Sequence, residues 1–162
     1  MININDIVVK QGTIKDFKKY WLGSKDAKPQ FAKHIEDGNC IFWYAKMGKK
    51  YIGTVYFFKN LDDKSAADGK VNCYLCNLFV FPEYRKNGIG TMLIETAKNY
   101  AKTLGFNNLT LCVDEDETAN VRLYTELGFT NQTGVCDFDL VYRKDGAAVP
   151  TEQYILISCD LQ

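Results

Sequence analysis

The sequence predicts an α/β fold of the α+β type, in which about four helices flank a mixed, mostly antiparallel sheet of six to seven strands. Three observations predict it. Residues 40–47 and 51–58 are rich in aromatic and β-branched residues and flank Gly48-Lys49-Lys50, which is typical of an antiparallel hairpin. Strand and helix patterns then alternate from residue 71 to Leu127. Finally, apolar side chains recur at helical spacing after Gly88, at Ile89, Met92, Leu93, Ala97, Tyr100, Ala101 and Leu104.

Local signals predict the remaining elements. Thr13 or Gly12 can cap a first helix, Pro29 suits the first turn of a second, and Gly38 suits its end. Polar residues 60–69 predict a flexible connection. In order, we expect a strand at 7–9, helices at 13–22 and 29–37, strands at 40–47, 51–58 and 71–80, a helix at 89–104, a strand at 108–113, a helix ending at Leu127, and strands from 130 to about 142 and at 154–159, the last two flanking the turn Lys144-Asp145-Gly146.

Length and composition indicate one globular domain over residues 1–162. Hydrophobic residues make up 46% and charged residues 25%, which allows a packed core. Lysine and arginine total 20, as do aspartate and glutamate, so no global positive field favours nucleic acid or an anionic membrane. The N-terminus lacks the features of a signal peptide, and no apolar stretch approaches about 20 residues. We therefore expect a cytoplasmic protein.

The six cysteines are dispersed, and without a secretory signal we expect them to be buried free thiols. Cys73 and Cys76 have the spacing of half a zinc site, but they fall on an expected strand, where residues three apart point to opposite faces. His34 is the only histidine. The sequence therefore predicts no metal site.

The most informative segment runs from Leu78 to Gly90, where a buried strand passes through a glycine-bearing loop into a long helix. The first N–H groups of a helix have no internal partner, and the helix dipole adds partial positive charge there. Glycines let the backbone approach a phosphate, and Arg85 and Lys86 add charge. The segment predicts a site for an anion such as a pyrophosphate.

Two known phosphate-binding patterns fit this loop poorly. The P-loop pattern GxxxxGK(S/T) is absent, because the chain has Asn87-Gly88-Ile89-Gly90-Thr91. A dinucleotide fold would use Gly88-Ile89-Gly90 with Asp114 on the ribose, but Leu93 occupies its third glycine position. In addition, seven residues separate Val80 from Gly88, whereas a dinucleotide-binding fold requires a tight turn between the strand and the first glycine.

The loop resembles the signature R/Q-x-x-G-x-G/A of the GNAT (Gcn5-related N-acetyltransferase) superfamily, since Arg85-Lys86-Asn87-Gly88-Ile89-Gly90 matches each specified position. The preceding Leu78-Phe79-Val80 and Pro82 also match, and the core motifs cover about residues 71–130. The resemblance implies a GNAT-like sheet and acetyl-CoA as co-substrate. It implies these cofactor-binding residues: Leu78, Phe79, Val80, Arg85, Lys86, Asn87, Gly88, Ile89, Gly90 and Asn120.

A second segment carries the candidate catalytic residue. Asn120, Leu123, Tyr124 and Leu127 are spaced along one helix face, so Tyr124 should point largely inward. From the residues alone, a buried tyrosine is more often packing than catalysis. The segment 120–129 resembles the GNAT element N-x-x-x-x-Y-x-x-x-G-F, which implies that Tyr124 protonates the departing thiolate and that Asn120 contacts the pantetheine arm.

The general base stays unassigned. Relatives often place a carboxylate on the strand before the loop, but here that stretch is Cys73-Tyr74-Leu75-Cys76-Asn77. Several other groups could act as the base through water; they are Asp62, Asp63, Asp114, Glu115 and His34. The four acids could equally be solvated loop charges, and His34 could be an ordinary residue on a helix surface.

The leading hypothesis is an acetyl-CoA-dependent N-acetyltransferase that moves an acetyl group directly, in a ternary complex, to an amine of a small molecule, peptide or protein. The alternative is a non-catalytic acetyl-CoA sensor, which the missing strand carboxylate favours and Tyr124 disfavours. We expect no nucleic-acid or membrane partner, and a monomer or homodimer. Aromatic segments 42–44 and 56–58 could line an acceptor pocket or pack in the core.

Overall fold

The computed structural model describes residues 2–136 and 154–162. Within them the chain forms four α-helices and a seven-stranded sheet. The strands are β1 Ile7–Gln11, β2 Cys40–Met47, β3 Lys50–Phe58, β4 Asn72–Val80, β5 Asn108–Val113, β6 Asn131–Cys136 and β7 Tyr154–Asp160. The helices are α1 Ile14–Tyr20, α2 Lys28–Glu36, α3 Ile89–Thr103 and α4 Thr118–Glu126.

The sheet has the order β1-β2-β3-β4-β5-β7-β6. Only β4 and β5 pair in parallel, with α3 as the crossover between them, and the other neighbours are antiparallel. This architecture confirms the expected mixed, mostly antiparallel α/β fold. The expected pairing of the last two strands is present, while residues 137–142 and the turn Lys144-Asp145-Gly146 lie outside the described residues.

Helix α1 begins at an N-cap that the sequence predicts. The Thr13 hydroxyl accepts from the backbone N–H of Asp16 at 3.2 Å, and the Asp16 carboxylate accepts from the backbone N–H of Thr13 at 2.9 Å. The helix ends at Tyr20, not at Leu22 as expected. Trp21 already has extended dihedrals, and its indole N–H donates to the Ser24 carbonyl at 2.9 Å, so a side-chain contact ends the helix early.

Apolar side chains fill one core on each face of the sheet. Helices α3 and α4 pack on the first core, with Leu93 and Phe57 at its centre, and α1 and α2 pack on the second, around Phe17 and Tyr56. Residues 42–44 and 56–58 are buried in these cores. Cys73 lies in the first core and Cys76 in the second, which confirms that they point to opposite faces.

The expectation that all six cysteines are free thiols is wrong. Cys112 of β5 and Cys136 at the end of β6 form a disulfide across 24 residues of sequence. Cys40, Cys73, Cys76 and Cys159 are buried thiols outside this disulfide. Strand β7 enters between β5 and β6 from a distant part of the chain, so sequence spacing alone gave no sign of this pair.

The expected flexible connection at residues 60–69 is a folded turn. Its Ala66 and Ala67 are buried in the second core. The carboxylate of Asp68 accepts from the backbone N–H groups of Lys70, Val71 and Asn72 at 2.8–2.9 Å. The polar composition of residues 60–69 gave no sign of this turn, because the turn depends on one aspartate that accepts hydrogen bonds from several backbone N–H groups. Elsewhere, none of the described helices is both long and apolar enough to cross a bilayer.

Candidate active site

The candidate site lies where the two parallel strands of the sheet separate. Strands β4 and β5 pair only over Asn72–Asn108, Cys73–Leu109 and Tyr74–Thr110. Beyond Tyr74, β4 stays paired with β3 up to Val80, while β5 stays paired with β7 up to Val113. Because each strand follows its other neighbour, a gap opens in the middle of the sheet.

A β-bulge in β4 marks the start of this gap. Tyr56 of β3 pairs with Cys76, whereas Thr54, two residues earlier in β3, pairs with Phe79, three residues later in β4, so β4 carries one extra residue. Asn77 lies in the bulge with a φ of 50° and is exposed, although β4 is a central strand. Asparagine tolerates this left-handed conformation better than most residues.

The loop after β4 is held by its own side chains. The Arg85 Nε–H donates to the Val80 carbonyl at 2.8 Å, and the Arg85 guanidinium lies 5.6 Å from the centre of the Phe79 ring. The Asn87 side-chain amide donates to the carbonyls of Tyr84 and Arg85, both at 3.0 Å. These bonds set the path of the chain into α3.

Two left-handed residues shape the end of this loop. Lys86 has a φ of 62°, and Gly88, the N-cap of α3, has a φ of 81°. Asn77 and Lys86 are the only non-glycine residues with positive φ within the described ranges 2–136 and 154–162, and both border the candidate site. Such conformations cost about 1–3 kcal/mol and concentrate at functional sites.

A cleft of about 570 Å³ runs between this loop, the end of β4 and helix α4. The N-terminus of α3 opens into it, and so do the exposed cations Arg85 and Lys86. All of the cofactor-binding residues expected from the sequence line it except Asn87, which braces the loop. The lining consists of Leu78, Phe79, Val80, Tyr84, Arg85, Lys86, Gly88, Ile89, Gly90, Thr91, Ala119, Asn120 and Leu123.

Tyr124 of α4 faces the gap between the strands. It is half-buried, and its ring packs 6.0 Å from that of Phe129. Lys98 of α3 donates to the Leu127 carbonyl at 2.9 Å, which ties the end of α4 to α3. Because Tyr124 is half-buried and packs on Phe129, it points inward, as the sequence predicts. Asn120, expected on the same face, is exposed and donates to the Glu117 carboxylate at 2.5 Å.

Tyr124 lines two smaller hollows next to the large cleft. The gap itself is a cavity of about 50 Å³, lined by Tyr74, Leu75, Cys76, Asn77, Leu78, Leu111, Cys112 and Tyr124. A pocket of about 190 Å³ lies beside it, lined by Cys112, Val113, Asp114, Glu117, Asn120, Tyr124 and Tyr154. Leu78 borders both the large cleft and the gap, so a long ligand in the cleft can reach the gap and Tyr124.

The acidic candidates separate into two groups. Asp114 borders the pocket beside Tyr124 together with Glu117, which was not among the expected candidates for the base. Asp62 and Asp63 follow β3, whose last residue Phe58 lies opposite Tyr74 near the start of β4. They therefore lie toward the closed end of the gap rather than at its opening.

His34 lies away from the gap, on α2. Its ring packs 5.3 Å from that of Phe58, and its Nδ1 is 3.1 Å from the Asn39 amide. Burial lowers the pKa of His34 and outweighs the nearby charge of Asp37. Its neighbours therefore give it a structural role.

Sequence reasoning missed several residues that line the gap. Leu111 and Cys112 read only as parts of an apolar strand, because the separation of β4 from β5 is a property of the sheet. Tyr154 borders the pocket beside Tyr124 from the far end of the chain. A positive φ at Asn77 had no signal beyond the residue type.

Comparisons with known proteins agree with this arrangement. The model of the acetyltransferase (GNAT) family matches residues 10–129. Human N-acetyltransferase 8 is 29% identical over 103 residues, which are 62% of this chain and 44% of the human protein. The chain thus spans less than half the length of this curated relative and of the next two that it matches.

Solved structures share the fold. A GNAT family acetyltransferase from Elizabethkingia anophelis with acetyl-CoA bound has a TM-score of 0.68 at 17% identity, covering 96% of this chain and 99% of that one. An acetyltransferase from Bacillus anthracis in complex with acetyl coenzyme A has a TM-score of 0.58 at 25% identity, covering 80% of this chain and 67% of that one.

Proposed function

The chain belongs to the acetyltransferase (GNAT) family, and we propose that it transfers an acetyl group from acetyl-CoA to a primary amine of a small molecule, peptide or protein. One observation carries the proposal: the cleft at the N-terminus of α3 shares Leu78 with the gap that Tyr124 faces. The E. anophelis and B. anthracis neighbours, solved with acetyl-CoA, support the co-substrate. We take residues 1–162 as one such domain, a monomer or homodimer that needs no metal.

The loop before α3 would hold the pyrophosphate of acetyl-CoA. The N–H groups in the first turn of α3 have no helical partner, and they carry the positive end of the helix dipole. Gly88 and Gly90 bring this backbone close to the cleft, and Arg85 and Lys86 add two formal charges beside it. The Asn87 amide would act indirectly, by keeping the loop in place.

The end of β4 would hold the pantetheine arm. Beyond Tyr74, β4 forms no further pair with β5, so the peptide groups on that edge can bond to the amides of the arm as a neighbouring strand would. We assign these contacts to the backbones of Leu78, Phe79 and Val80, and a side-chain contact to Asn120. The same edge offers main-chain N–H groups to the oxygen of the tetrahedral intermediate.

Tyr124 would act as the general acid. The acceptor amine attacks the thioester carbon, the carbon–sulfur bond breaks, and the departing thiolate takes a proton from the phenol. With a thiol pKa of about 8.5 and a tyrosine pKa of about 10, this proton transfer costs roughly 2 kcal/mol. That cost is small beside a chemical barrier, so a tyrosine phenol is chemically competent as the general acid.

The attacking amine must also lose a proton. A lysine-like amine with a pKa of about 10.4 is neutral in only about one molecule in a thousand near pH 7. Asn77, on the strand where relatives often carry a carboxylate, has an amide that does not take up a proton. We propose that water in the pocket beside Tyr124 carries the proton to Asp114 or Glu117, which border that pocket.

The test begins with binding and then measures turnover. Calorimetry should detect acetyl-CoA binding, and free thiol should appear with at least one amine from a panel of polyamines, aminoglycosides, amino acids and peptides. Tyr124→Phe should lower kcat by about 10² to 10⁴-fold and leave the Kd for acetyl-CoA within about twofold. Tyr100→Phe is the matched control, because Tyr100 packs on Trp43 and Phe57 and borders none of the three hollows.

Two results would contradict the proposal in different ways. Tight acetyl-CoA binding without thiol release for any amine would indicate a sensor instead, an outcome that the absence of a carboxylate at Asn77 makes worth measuring. Binding of NADH but not of acetyl-CoA would remove the proposed co-substrate altogether.

A further inference from the structure

Two cysteines stand opposite each other where β4 and β5 separate. Tyr74 and Thr110 form the last pair of these strands, and Cys76 and Cys112 lie two positions further along each strand. Side chains two apart on a strand share a face. Accordingly, Cys76 lies in the second core with Tyr74, and Cys112 packs against that core. The bulge in β4 begins only after Cys76, which still pairs with Tyr56 of β3, so Cys76 and Cys112 continue the register of the last pair.

Cys112 is already bonded to a third cysteine, Cys136. Cys76 and Cys112 both line the gap, which has a volume of about 50 Å³. One water needs about 10–15 Å³ of such space, so the gap is only a few water molecules in size. A disulfide joins Cα atoms about 4.4–6.8 Å apart, and neighbouring strands of a sheet lie about 4.7–4.9 Å apart. Closure of this small gap therefore brings Cys76 within bonding range of Cys112.

The remaining cysteines lack this placement. Cys73 and Cys159 lie in the first core, on the other face of the sheet. Cys40 lies in the second core, but its strand β2 is two strands away from β4, a distance of about 9–10 Å. All six cysteines fall within the described residues, and among them only Cys76 faces the bridge across the gap.

We infer that Cys76, Cys112 and Cys136 form a thiol–disulfide exchange site, in which Cys112 can be bonded to either partner. The Cys76 thiolate attacks Sγ of Cys112, a bond forms between these two sulfurs, and the Cys112–Cys136 bond breaks. Cys136 leaves as a thiolate and takes up the proton that Cys76 lost, so the step needs no oxidant or reductant. Loop closure favours neither bridge strongly, because its entropy depends only on the logarithm of the sequence separation.

The exchange closes the gap to a ligand. A Cys76–Cys112 bridge ties β4 to β5 beyond their last pair and puts two sulfur atoms across the space between the strands. A CoA derivative whose arm enters the gap past Leu78 competes with this bridge. By mass action, such a ligand at about a hundred times its Kd should lower the ratio of the new bridge to the original one about a hundredfold. This effect of the ligand rests on the proposed function, whereas the exchange itself does not.

The test maps the disulfides of the whole chain. The protein is incubated with reduced and oxidised glutathione near pH 8.5, the ordinary pKa of a thiol, and is then quenched with acid, alkylated and digested without reduction for mass spectrometry. We expect peptides linked through Cys76 and Cys112 beside those linked through Cys112 and Cys136. Adding S-acetonyl-CoA, a thioether that glutathione does not cleave, should deplete the first kind. Absence of Cys76–Cys112 peptides at every glutathione ratio overturns the inference.

A variant traps the second bridge. Cys136→Ser removes the original partner of Cys112, so oxidised glutathione should join Cys76 to Cys112 and release two molecules of reduced glutathione. Oxidation should then weaken S-acetonyl-CoA binding about tenfold or more, because the end of the arm loses its buried contacts, and dithiothreitol should restore it. Cys136→Ser combined with Cys76→Ser should show neither change. Cys136→Ser combined with Cys40→Ser is the matched control, because it removes another buried thiol of the second core, and it should respond like Cys136→Ser alone.

The outcomes separate this inference from the proposed function. If the reduced wild type fails to bind acetyl-CoA, the acetyltransferase proposal is wrong, while the disulfide map still decides the exchange. If the new bridge forms but S-acetonyl-CoA leaves its fraction unchanged, the exchange does not close the gap. An equal loss of binding on oxidation in the variant without Cys76 would overturn the inference, because that loss would not depend on the new bridge.

Discussion

Tyr74 of β4 pairs with Thr110 of β5, and it is the last pair that these two parallel strands make. From that point each strand follows its other partner, β3 or β7, and a central part of the sheet stands open. The candidate chemistry is located at this opening, between the bulge at Asn77 and the ring of Tyr124. Changes to the loop, the bulge or the strand positions should therefore have separable effects on binding and stability.

Gly88→Ala should weaken acetyl-CoA binding about tenfold or more. Gly88 has a φ of 81°, and an alanine there costs about 1–2 kcal/mol, although an added Cβ meets nothing closer than Ile4 Cδ1 at 3.5 Å. The matched control is Gly38→Ala, with a φ of 76°, open space around it and a position at the end of α2. Urea denaturation should show similar losses of stability for the two variants. Calorimetry should show weaker acetyl-CoA binding for Gly88→Ala alone. Equal Kd values for acetyl-CoA in the two variants would show that the backbone conformation at Gly88 does not contribute to cofactor binding.

Asn77→Val should destabilise the protein by about 1–2 kcal/mol and also impair turnover, because a β-branched residue resists the φ of 50° at the bulge. Asn77→Gly is the control, since glycine adopts this conformation freely and the bulge should persist. Denaturation curves and thiol release measure the two effects. If valine and glycine behaved alike, the backbone conformation of the bulge would not matter for the site.

Asp68→Asn should lower stability near neutral pH by about 1–2 kcal/mol, because a weaker amide acceptor replaces a carboxylate that three backbone N–H groups share. Partial burial would raise the pKa of Asp68, but bonds from Asn72, Lys70 and Val71 together lower it. A lowered pKa means that the stabilisation is full above the unfolded value of about 3.9 and is lost as pH falls through the folded value.

Urea titrations of the wild type and of Asp68→Asn from pH 7 to pH 3 check this pH dependence. The difference between them should be constant near neutrality and shrink below about pH 4. A difference that grew on acidification would have the wrong sign.

Reduction of Cys112–Cys136 should lower the free energy of unfolding by about 3 kcal/mol, from the loss of a cross-link over 24 residues. Guanidinium curves with and without dithiothreitol measure this, and a variant with both cysteines changed to serine should not respond. Thiol titration of the unreduced, denatured protein should find four of the six cysteines reactive. Six reactive thiols would show that the pair is open, as expected in a reducing cytoplasm.

Local patterns in the sequence predicted most of the scaffold. The bounds of β2 and β5 coincide with the expected 40–47 and 108–113, because a short, mostly apolar run with aromatic or β-branched residues between turn residues favours a strand. The Thr13 cap followed from residue types three positions apart. The loop from Arg85 to Gly90 could also be located from the sequence, because the glycines and cations that mark it are close together along the chain.

Errors arose where side-chain bonds to the backbone, or contacts between distant elements, decide the structure. Residues 60–69 looked flexible because Asp68 binds backbone groups that composition does not reveal, and because Ala66 and Ala67 are buried by residues from other elements. The end of α1 depends on the bond between Trp21 and Ser24. The Cys112–Cys136 bridge depends on where β7 inserts.

The sequence by itself determined the fold class, the position of the glycine-bearing loop before α3 and the placement of Tyr124 on an inward helix face, because each depends on short-range periodicity and on the chemistry of neighbouring residues. Only the tertiary structure decided that β4 and β5 separate after Tyr74 and Thr110. It also decided which residues, Leu111 and Cys112 among them, line the space between the two strands. That decision belongs to strand pairing across the whole sheet, where each strand's position is fixed by a partner far away in sequence.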